Sequence, residues 1–347
     1  MAYVKRNTYH VLCMTMKAFV TGGTGFIGSH LVELLIDQGY HVTVLVRETS
    51  NLRWLNHLLM AKSPRVQLVT GDLRDLGALM PHLQNANLVF HLAGLTRAPD
   101  AATYDRVNVQ GTKDLIEACL QANANLDRFI YCSSLAAIGP SPDETPVTEN
   151  TTPQPLTDYG SSKLNGELIT SEYTDRLPMT IIRPPAVYGP RETDIFLYFK
   201  LVNKGVMPIL GDENKLLSLV YVKDLVVGLA AAAVSNLAIG EAYFLTDGEV
   251  HSWIEIASTI AHALKKRPLK LRVPLFLLDF VSIFTETAAK ITHQASTLNR
   301  QKIRDLKQRF WICDSSKAQQ QIGYRPAYPL ERGIQETTLW YMENGWL

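Results

Sequence analysis

Short runs of β-branched and apolar residues alternate along the first half of the chain with longer stretches whose apolar positions recur every three or four residues. Residues 18–20 read as a strand entering a glycine turn, and Ile27, Leu31, Leu34 and Leu35 mark one face of a helix that stops at Gly39. Strands follow at 41–46, 66–70 and 88–92, then a helix from about 104 to 124, a strand at 129–132, a helix at 159–174 and a strand at 180–182. Repeated strand–helix–strand units predict an α/β fold, a doubly wound parallel sheet with ligands at the carboxyl ends of its strands. After Gly189 the rhythm changes. A helix is expected at 195–203, a strand at 218–222 leading into an alanine-rich helix at 225–233, and a return to the sheet edge at 242–245; from His251 onward the pattern reads as helical and irregular.

The turn after the first strand is Thr21-Gly22-Gly23-Thr24-Gly25-Phe26-Ile27-Gly28, in the strand-to-helix context a dinucleotide fingerprint requires. Gly22 permits the tight turn, Gly25 lets backbone approach a pyrophosphate, and Gly28 allows close helix–strand packing, with the phosphates on the free helix amides. The sheet is therefore expected to be of Rossmann type. The expected division is a nucleotide domain over 16–190 and 218–250, and a smaller, discontinuous α+β substrate domain over 191–217 and 251–347.

At the end of the second strand, where an acidic residue would bind bare ribose hydroxyls, the chain has Arg47. A guanidinium suits a 2′-phosphate, so NADP(H) is favoured. Arg47 stacked on the adenine is the alternative, and the neighbouring Glu48 keeps NAD(H) open. Asp72, followed by Leu73, ends the third strand where a carboxylate can accept from the adenine amino group; Leu92, Ala93 and Gly94 end the fourth, where small residues let backbone run beside the cofactor.

Tyr159 and Lys163 lie four apart on one helix and share a face. A free phenol has a pKa of about 10. A nearby ammonium and a positively charged nicotinamide would both favour the phenolate, and the pair is expected to work as a proton shuttle. Ser133 and Ser134 end the fifth strand and face that helix, so a hydroxyl there can donate to a substrate carbonyl while the phenol exchanges the proton and a nicotinamide the hydride. A serine there could equally cap a loop, and Asn108 could hold the following turn or a water beside Lys163.

Thr21–Gly28, Asp72, residues 91–94, Asn108, Ser133, Ser134, Tyr159, Lys163 and the run Arg183-Pro184-Pro185-Ala186-Val187-Tyr188-Gly189-Pro190 closely resemble the extended short-chain dehydrogenase/reductase, or NAD-dependent epimerase/dehydratase, family. The resemblance spans about residue 16 to the C-terminus. It implies that Ser134, Tyr159 and Lys163 form the catalytic set, that the segment Arg183–Val187, with Pro185 and Val187, lies against the nicotinamide, and that the chain forms a homodimer through helices 104–124 and 159–174. Two features of the sugar-nucleotide branch are missing: an arginine just before strand 218–222, where only Lys215 is near, and an Asp-Glu pair after the catalytic serine, where Leu135-Ala136-Ala137-Ile138-Gly139 stands. Dehydration is disfavoured on that ground. Residues 219–224, 311–318 and the closing 340–346 look more like the 3β-hydroxysteroid dehydrogenase and dihydroflavonol reductase branch.

The expectation is an NAD(P)-dependent oxidoreductase interconverting a secondary alcohol and a ketone on a fairly apolar small molecule; a nucleotide-sugar epimerase is the enzymatic alternative, and a non-catalytic dinucleotide sensor or scaffold the alternative of another class. A net charge of +1 argues against nucleic-acid partners, and Cys13, Cys119, Cys132 and Cys313 lack metal-ligand spacing or a disulfide framework, which suits a reducing cytoplasm. No metal is implied. The apolar run from Pro274 through Phe284 is too short to span a bilayer; it is expected to be core, with a greasy lid or peripheral membrane contact as alternatives. Residues 1–15 lack an apolar signal core and are expected to be a disordered extension or the product of an early start site.

Overall fold

A computed structural model describes residues 16–61, 63–123, 125–274 and 300–347; the expected N-terminal extension and the apolar run from Leu275 to Phe284 lie outside them. Strands β1 (Lys17–Thr21), β2 (His41–Val46), β3 (Val66–Thr70), β4 (Leu88–His91), β5 (Arg128–Cys132), β6 (Met179–Arg183) and, later in the chain, β11 (Glu241–Phe244) form one sheet in the order β3-β2-β1-β4-β5-β6-β11. Every neighbouring pair is parallel. The order reverses between β1 and β4, which opens the crevice at the carboxyl edge where such sheets bind ligands.

Both faces of the sheet are covered, which is why its strands read as continuous apolar runs rather than alternating ones. Ala18, Val20, Leu88, Phe90, Ile130 and Ile182 point into a core shared with helices Phe26–Asp37 and Val222–Val234. Their strand neighbours Phe19, Val89, Phe129, Tyr131, Met179 and Ile181 point the other way, into a core shared with Leu76–Leu83 and Gly111–Ala122. The period of two survives as an assignment to two cores.

Strands β1 to β6 and the edge strand β11 fall where the apolar runs place them, within a residue or so at each end. The helix expected at 104–124 is instead Ala101–Tyr104, a π-helical turn Asp105–Gln110 and Gly111–Ala122. The wider turn coincides with Asn108, whose buried carboxamide reaches out of the helix to Leu95 and Ser162.

Beyond Gly189 the expectation of helical and irregular structure from His251 onward is corrected by short strands. Strand β7 (Ala186–Tyr188) pairs with β10 (Leu219–Tyr221), outside the main sheet. Strand β8 (Val206–Leu210) pairs with β13 (Leu269–Val273), and β9 (Leu216–Leu217) lies between β12 (His251–Ser252) and β14 (Phe310–Trp311). Two-residue strands have no readable period, whereas β13, Leu-Lys-Leu-Arg-Val, carried an alternation that could have been read. A third core, with Tyr188, Phe199, Tyr221, Ile256, Ile260, Ile334 and Tyr341, joins these pieces to the C-terminal helix Leu330–Glu343. No helix among the described residues is long and apolar enough to cross a membrane.

Candidate active site

The glycine turn is built around backbone approaches that no side chain would permit. Gly22 has φ +72°, and a Cβ there would lie 2.6 Å from Ala93 N, so β1's turn presses against the end of β4. A Cβ on Gly28 would lie 2.2 Å from Gly22 O. Gly25 is exposed, and a Cβ there would meet only Gly22 O at 3.2 Å. Helix Phe26–Asp37 has no side-chain cap and no acidic residue in its first turn. Its free amides and positive end therefore suit a pyrophosphate, with Thr24 and Phe26 at the mouth and Ile27 packed on the core.

Arg47 is exposed at the end of β2, in a turn where its N–H donates to Ser50 Oγ at 2.9 Å. Asp72 ends β3 beside it. Hydrogen bonds from Arg74, first from its guanidinium and then from its backbone N–H, hold the Asp72 carboxyl down at about 2, and Arg47 adds to that pull. The expected adenine acceptor is thus already bonded to Arg74 Nε at 2.9 Å, and Leu73 packs into the second core.

A directed chain of neutral hydrogen bonds crosses the floor. Ala93 N–H donates to Thr21 Oγ1 (3.2 Å), whose hydroxyl faces His91 Nδ1 (2.7 Å); His91 Nε2 meets Thr112 Oγ1 (2.9 Å), whose hydroxyl donates to Asn108 O (2.6 Å). Burial and the Lys163 charge push His91 down to about 3, so the imidazole stays neutral and relays direction rather than charge. Asn108 Oδ1 accepts from Leu95 N–H, while Nδ2 donates to Leu95 O and to Ser162 Oγ. The segment after Gly94 is thereby tied to the helix bearing Tyr159. Leu92 packs on the first core.

Tyr159 and Lys163 project from helix Asp158–Glu172, which Thr157 caps by accepting from Gly160 N–H at 3.1 Å. Lys163 Nζ donates to Cys132 O at 2.8 Å and lies 5.1 Å from the Tyr131 ring centre. Burial pushes this ammonium below the ordinary lysine value, and Glu167, four residues on, pulls it back up. Glu167 in turn forms a buried bidentate pair with Arg183 at the end of β6, with contacts of 2.6 and 3.0 Å. Residues 159, 163 and 167 therefore mark one helix face, locked at its far end to the sheet.

Ser134 follows β5 and caps a short 3-10 turn, its Oγ accepting from Ala136 N–H at 3.1 Å. That bond uses an acceptor lone pair of the hydroxyl and leaves its hydrogen to donate towards the Tyr159 oxygen. Burial raises the Tyr159 phenol above the usual tyrosine value, and a hydrogen bond with Ser134 draws it back. The Lys163 ammonium is directed to Cys132 O, and burial is the largest influence on the phenol. Ser133, the other candidate, is 3% exposed and its Oγ has no partner among the described residues. The Ser134 turn meets the proline-rich segment directly, Leu135 N–H donating to Pro184 O at 2.8 Å, with Pro185 buried and Val187 packed on the first core.

Around this centre, the Tyr104 ring lies tilted against Tyr159 with centres 6.1 Å apart, and an Arg97–Asp194 ion pair links the loops at 95–103 and 191–199. Lys215, the cation nearest the position of the missing arginine clamp, is turned inward to Leu306 O. Among the described residues no cluster of His, Cys, Asp or Glu could hold a metal. Sequence reasoning gave no separate role to His91, Thr21, Thr112 or Glu167, and did not foresee the pairing of Glu167 with Arg183. Only Glu167 had a visible signal, its spacing of four from Lys163.

A sequence model of the NAD dependent epimerase/dehydratase family matches residues 18–244. A protein named ceramide reductase from Caulobacter vibrioides is 31% identical over 94% of this chain and 95% of its own length. The 3beta-hydroxysteroid-dehydrogenase/decarboxylase isoform 1 of Arabidopsis thaliana is 29% identical over 92% of this chain and 78% of its own. The crystal structure of DesIV, a dTDP-glucose 4,6-dehydratase from Streptomyces venezuelae with NAD and TYD bound, superposes with a TM-score of 0.77 at 26% identity, covering 95% of this chain and 98% of that one. With the parallel sheet, the glycine cradle and these relatives in agreement, the chain belongs to the NAD-dependent epimerase/dehydratase family and is an oxidoreductase of the extended short-chain dehydrogenase/reductase type.

Proposed function

We propose that this enzyme interconverts a secondary alcohol and a ketone on a relatively apolar, lipid-like substrate, with NADP(H) preferred over NAD(H). The observation that carries the reading is the meeting of Tyr159, Ser134 and Lys163 at the carboxyl end of β5, with the Ser134 hydroxyl hydrogen and the Tyr159 phenol on one crevice. Residues 22–28, Arg47, Asp72, Leu73 and 92–94 would hold the dinucleotide along the sheet edge, with Pro185 and Val187 against its nicotinamide. A dinucleotide held there would supply the hydride chemistry that links ketone and alcohol.

In the reducing direction Tyr159 gives its phenolic proton to the carbonyl oxygen, and Ser134 Oγ–H donates to the same oxygen as negative charge builds on it. Lys163, buried and positive, stabilises the phenolate left behind. In the oxidising direction Tyr159 takes the alcohol proton.

NADP(H) is supported by the exposed Arg47 turn, with Arg74 close enough to pair with Asp72 beside it. A lipid-like substrate is supported by the names of the two sequence relatives and by Lys215 facing inward rather than towards a substrate pyrophosphate. We take residues 191–217 and 251–347 as the substrate-binding part. The exposed Leu168 on the Tyr159 helix fits a homodimer contact. The test is turnover of keto-lipids with NADPH and NADH beside a panel of UDP- and dTDP-sugars. Consumption of NADPH on keto-lipids, abolished in Tyr159→Phe with cofactor binding retained, is the expected result. Sugar interconversion without net cofactor use would replace the reading with an epimerase.

A further inference from the structure

We propose that the outer edge of the β8–β13 pair docks on the surface of an anionic phospholipid bilayer. Two stretches of chain meet there, and no aspartate or glutamate occurs in either, from 195 to 211 or from 256 to 274. The first holds Lys200 and Lys204, and the second holds five cations in the eight residues from 265 to 272, in a chain whose net charge is only +1. Pairing of β13 with β8 joins the two stretches. Leu269 N–H donates to Gly205 O at 2.8 Å, which sets the start of β13 beside Lys204. Lys204 closes helix Phe196–Asn203, and the exposed Lys200 stands one turn before it. Arg272 is paired with Glu213 at 3.1 Å, whereas the other six cations have no ion pair among the described residues.

Lys265 holds its place at a conformational cost. It follows the cap of helix Trp253–Ala263 with φ +54°. Lys265 N–H donates to His262 O and Lys266 N–H to Ala261 O, both at 2.9 Å, completing a helix-ending turn in which that position ordinarily belongs to glycine. A lysine there is strained, and what it adds is an exposed charge without a counter-ion among the described residues. Charge alone suits any polyanion, and the leucines narrow the choice. Leu269 and Leu271 alternate with Lys270 and Arg272 along β13 and are 73% and 50% exposed, and Leu197, three residues before Lys200, is 56% exposed. Bare apolar side chains on an edge strand are a liability in water. Among lysines they suit an interface, where leucine enters the acyl boundary and the ammoniums reach the lipid phosphates. A nucleic-acid surface would offer aromatic faces to the bases, and neither stretch has an exposed phenylalanine, tyrosine or tryptophan. The docking edge belongs to the part of the chain taken above as substrate-binding, so a docked enzyme would draw an apolar substrate from the bilayer. Only that use of the contact rests on the keto-reductase reading.

The test is co-sedimentation of the full chain with vesicles of phosphatidylcholine, alone or with about 30% phosphatidylglycerol. Wild type should partition onto the anionic vesicles at least roughly tenfold more strongly than onto the neutral ones. It should lose that preference between about 0.1 M and about 1 M salt, as the screening length falls from about 10 Å to about 3 Å. Lys265→Gln/Lys266→Gln/Arg267→Gln should weaken partition by about 10- to 100-fold, given roughly fivefold for each basic residue at an anionic surface. Leu269→Ser/Leu271→Ser should weaken it by roughly tenfold through the lost apolar contact. Both variants alter exposed side chains and should melt close to wild type, which separates lost docking from lost folding. Wild type that ignores anionic vesicles, or binding that both variants retain, would overturn the proposal. So would binding that the leucine variant retains and a short single-stranded RNA displaces, which would make the edge a nucleic-acid surface. No turnover is measured, so failure here leaves the reductase reading standing, and failure of that reading leaves the docking edge standing.

Discussion

Tyr159 and Lys163 could be found in the sequence because their relation is local: four residues on one helix fix their shared face before anything else is folded. Ser134 was favoured over Ser133 by the family resemblance, and the end of β5 adds a physical difference: the Ser133 hydroxyl is buried without a partner among the described residues, whereas Ser134 caps the turn that follows. The Glu167–Arg183 pair was beyond reach, because Arg183 stands on a strand whose position opposite the helix exists only in the folded sheet. Removing the arginine tests what that pair does. Arg183→Met leaves a buried carboxylate facing apolar surroundings, and a loss of about 3–5 kcal/mol in urea unfolding is expected. The double variant with Glu167→Met should be much less destabilised than the single one. Arg47 makes a separate claim at this scale. Arg47→Ala is expected to raise KM for NADPH about tenfold and to leave KM for NADH nearly unchanged, since only the 2′-phosphate contact is lost.

Elements with a full period of apolar residues were legible, and short ones were not. β1 to β6 each offer several consecutive side chains to two cores, whereas β9, β12 and β14 consist of two residues each, held mainly by pairing with distant chain. The β12 region nevertheless contains a titratable device. Burial alone would lower the His251 pKa, but a 2.8 Å hydrogen bond to the Asp247 carboxylate and a 3.2 Å contact with Glu255 outweigh it and lift the imidazole to about 9. A histidine pKa raised in the folded state adds stability that is fully present below its unfolded value of about 6.5 and is lost as pH rises through the folded value. Thermal unfolding should therefore show the midpoint falling between about pH 6.5 and 9, by an amount worth roughly 1–3 kcal/mol, and this slope should be lost in His251→Gln. The glycine turn gives the second test at this scale. Gly22→Ala must place a Cβ 2.6 Å from Ala93 N at φ +72°. The variant should lose NADPH binding, read by fluorescence titration, more severely than it loses stability, because the turn can yield only by moving away from β4 and out of the phosphate cradle.

Across the whole molecule, the C-terminus is coupled to the cofactor edge by a group of aromatic rings. Trp346 stacks on Tyr341 with centres 5.4 Å apart, meets Phe196 at 5.0 Å and Trp340 at 5.1 Å, and reaches Trp54 at 6.1 Å. Trp54 follows the Arg47–Ser50 turn after β2, and the guanidiniums of Arg53 and Arg191 lie 4.1 and 5.4 Å from its ring centre. Arg191 also donates to Glu33 and Ser29 on the helix that begins at the glycine turn. The last residues of the chain therefore brace the two segments that would hold the adenosine half of the dinucleotide. Trp346→Ala should lower stability by about 2 kcal/mol, less than a fully buried tryptophan because the ring is half-buried. It should also weaken NADPH several-fold while leaving kcat at saturating cofactor unchanged, because no contact to Tyr159 or Ser134 runs through this group. Trp346→Phe, which keeps a ring against Tyr341, should restore most of both. A variant that loses stability but binds NADPH as wild type does would confine the aromatic group to holding the fold together and separate it from the cofactor edge.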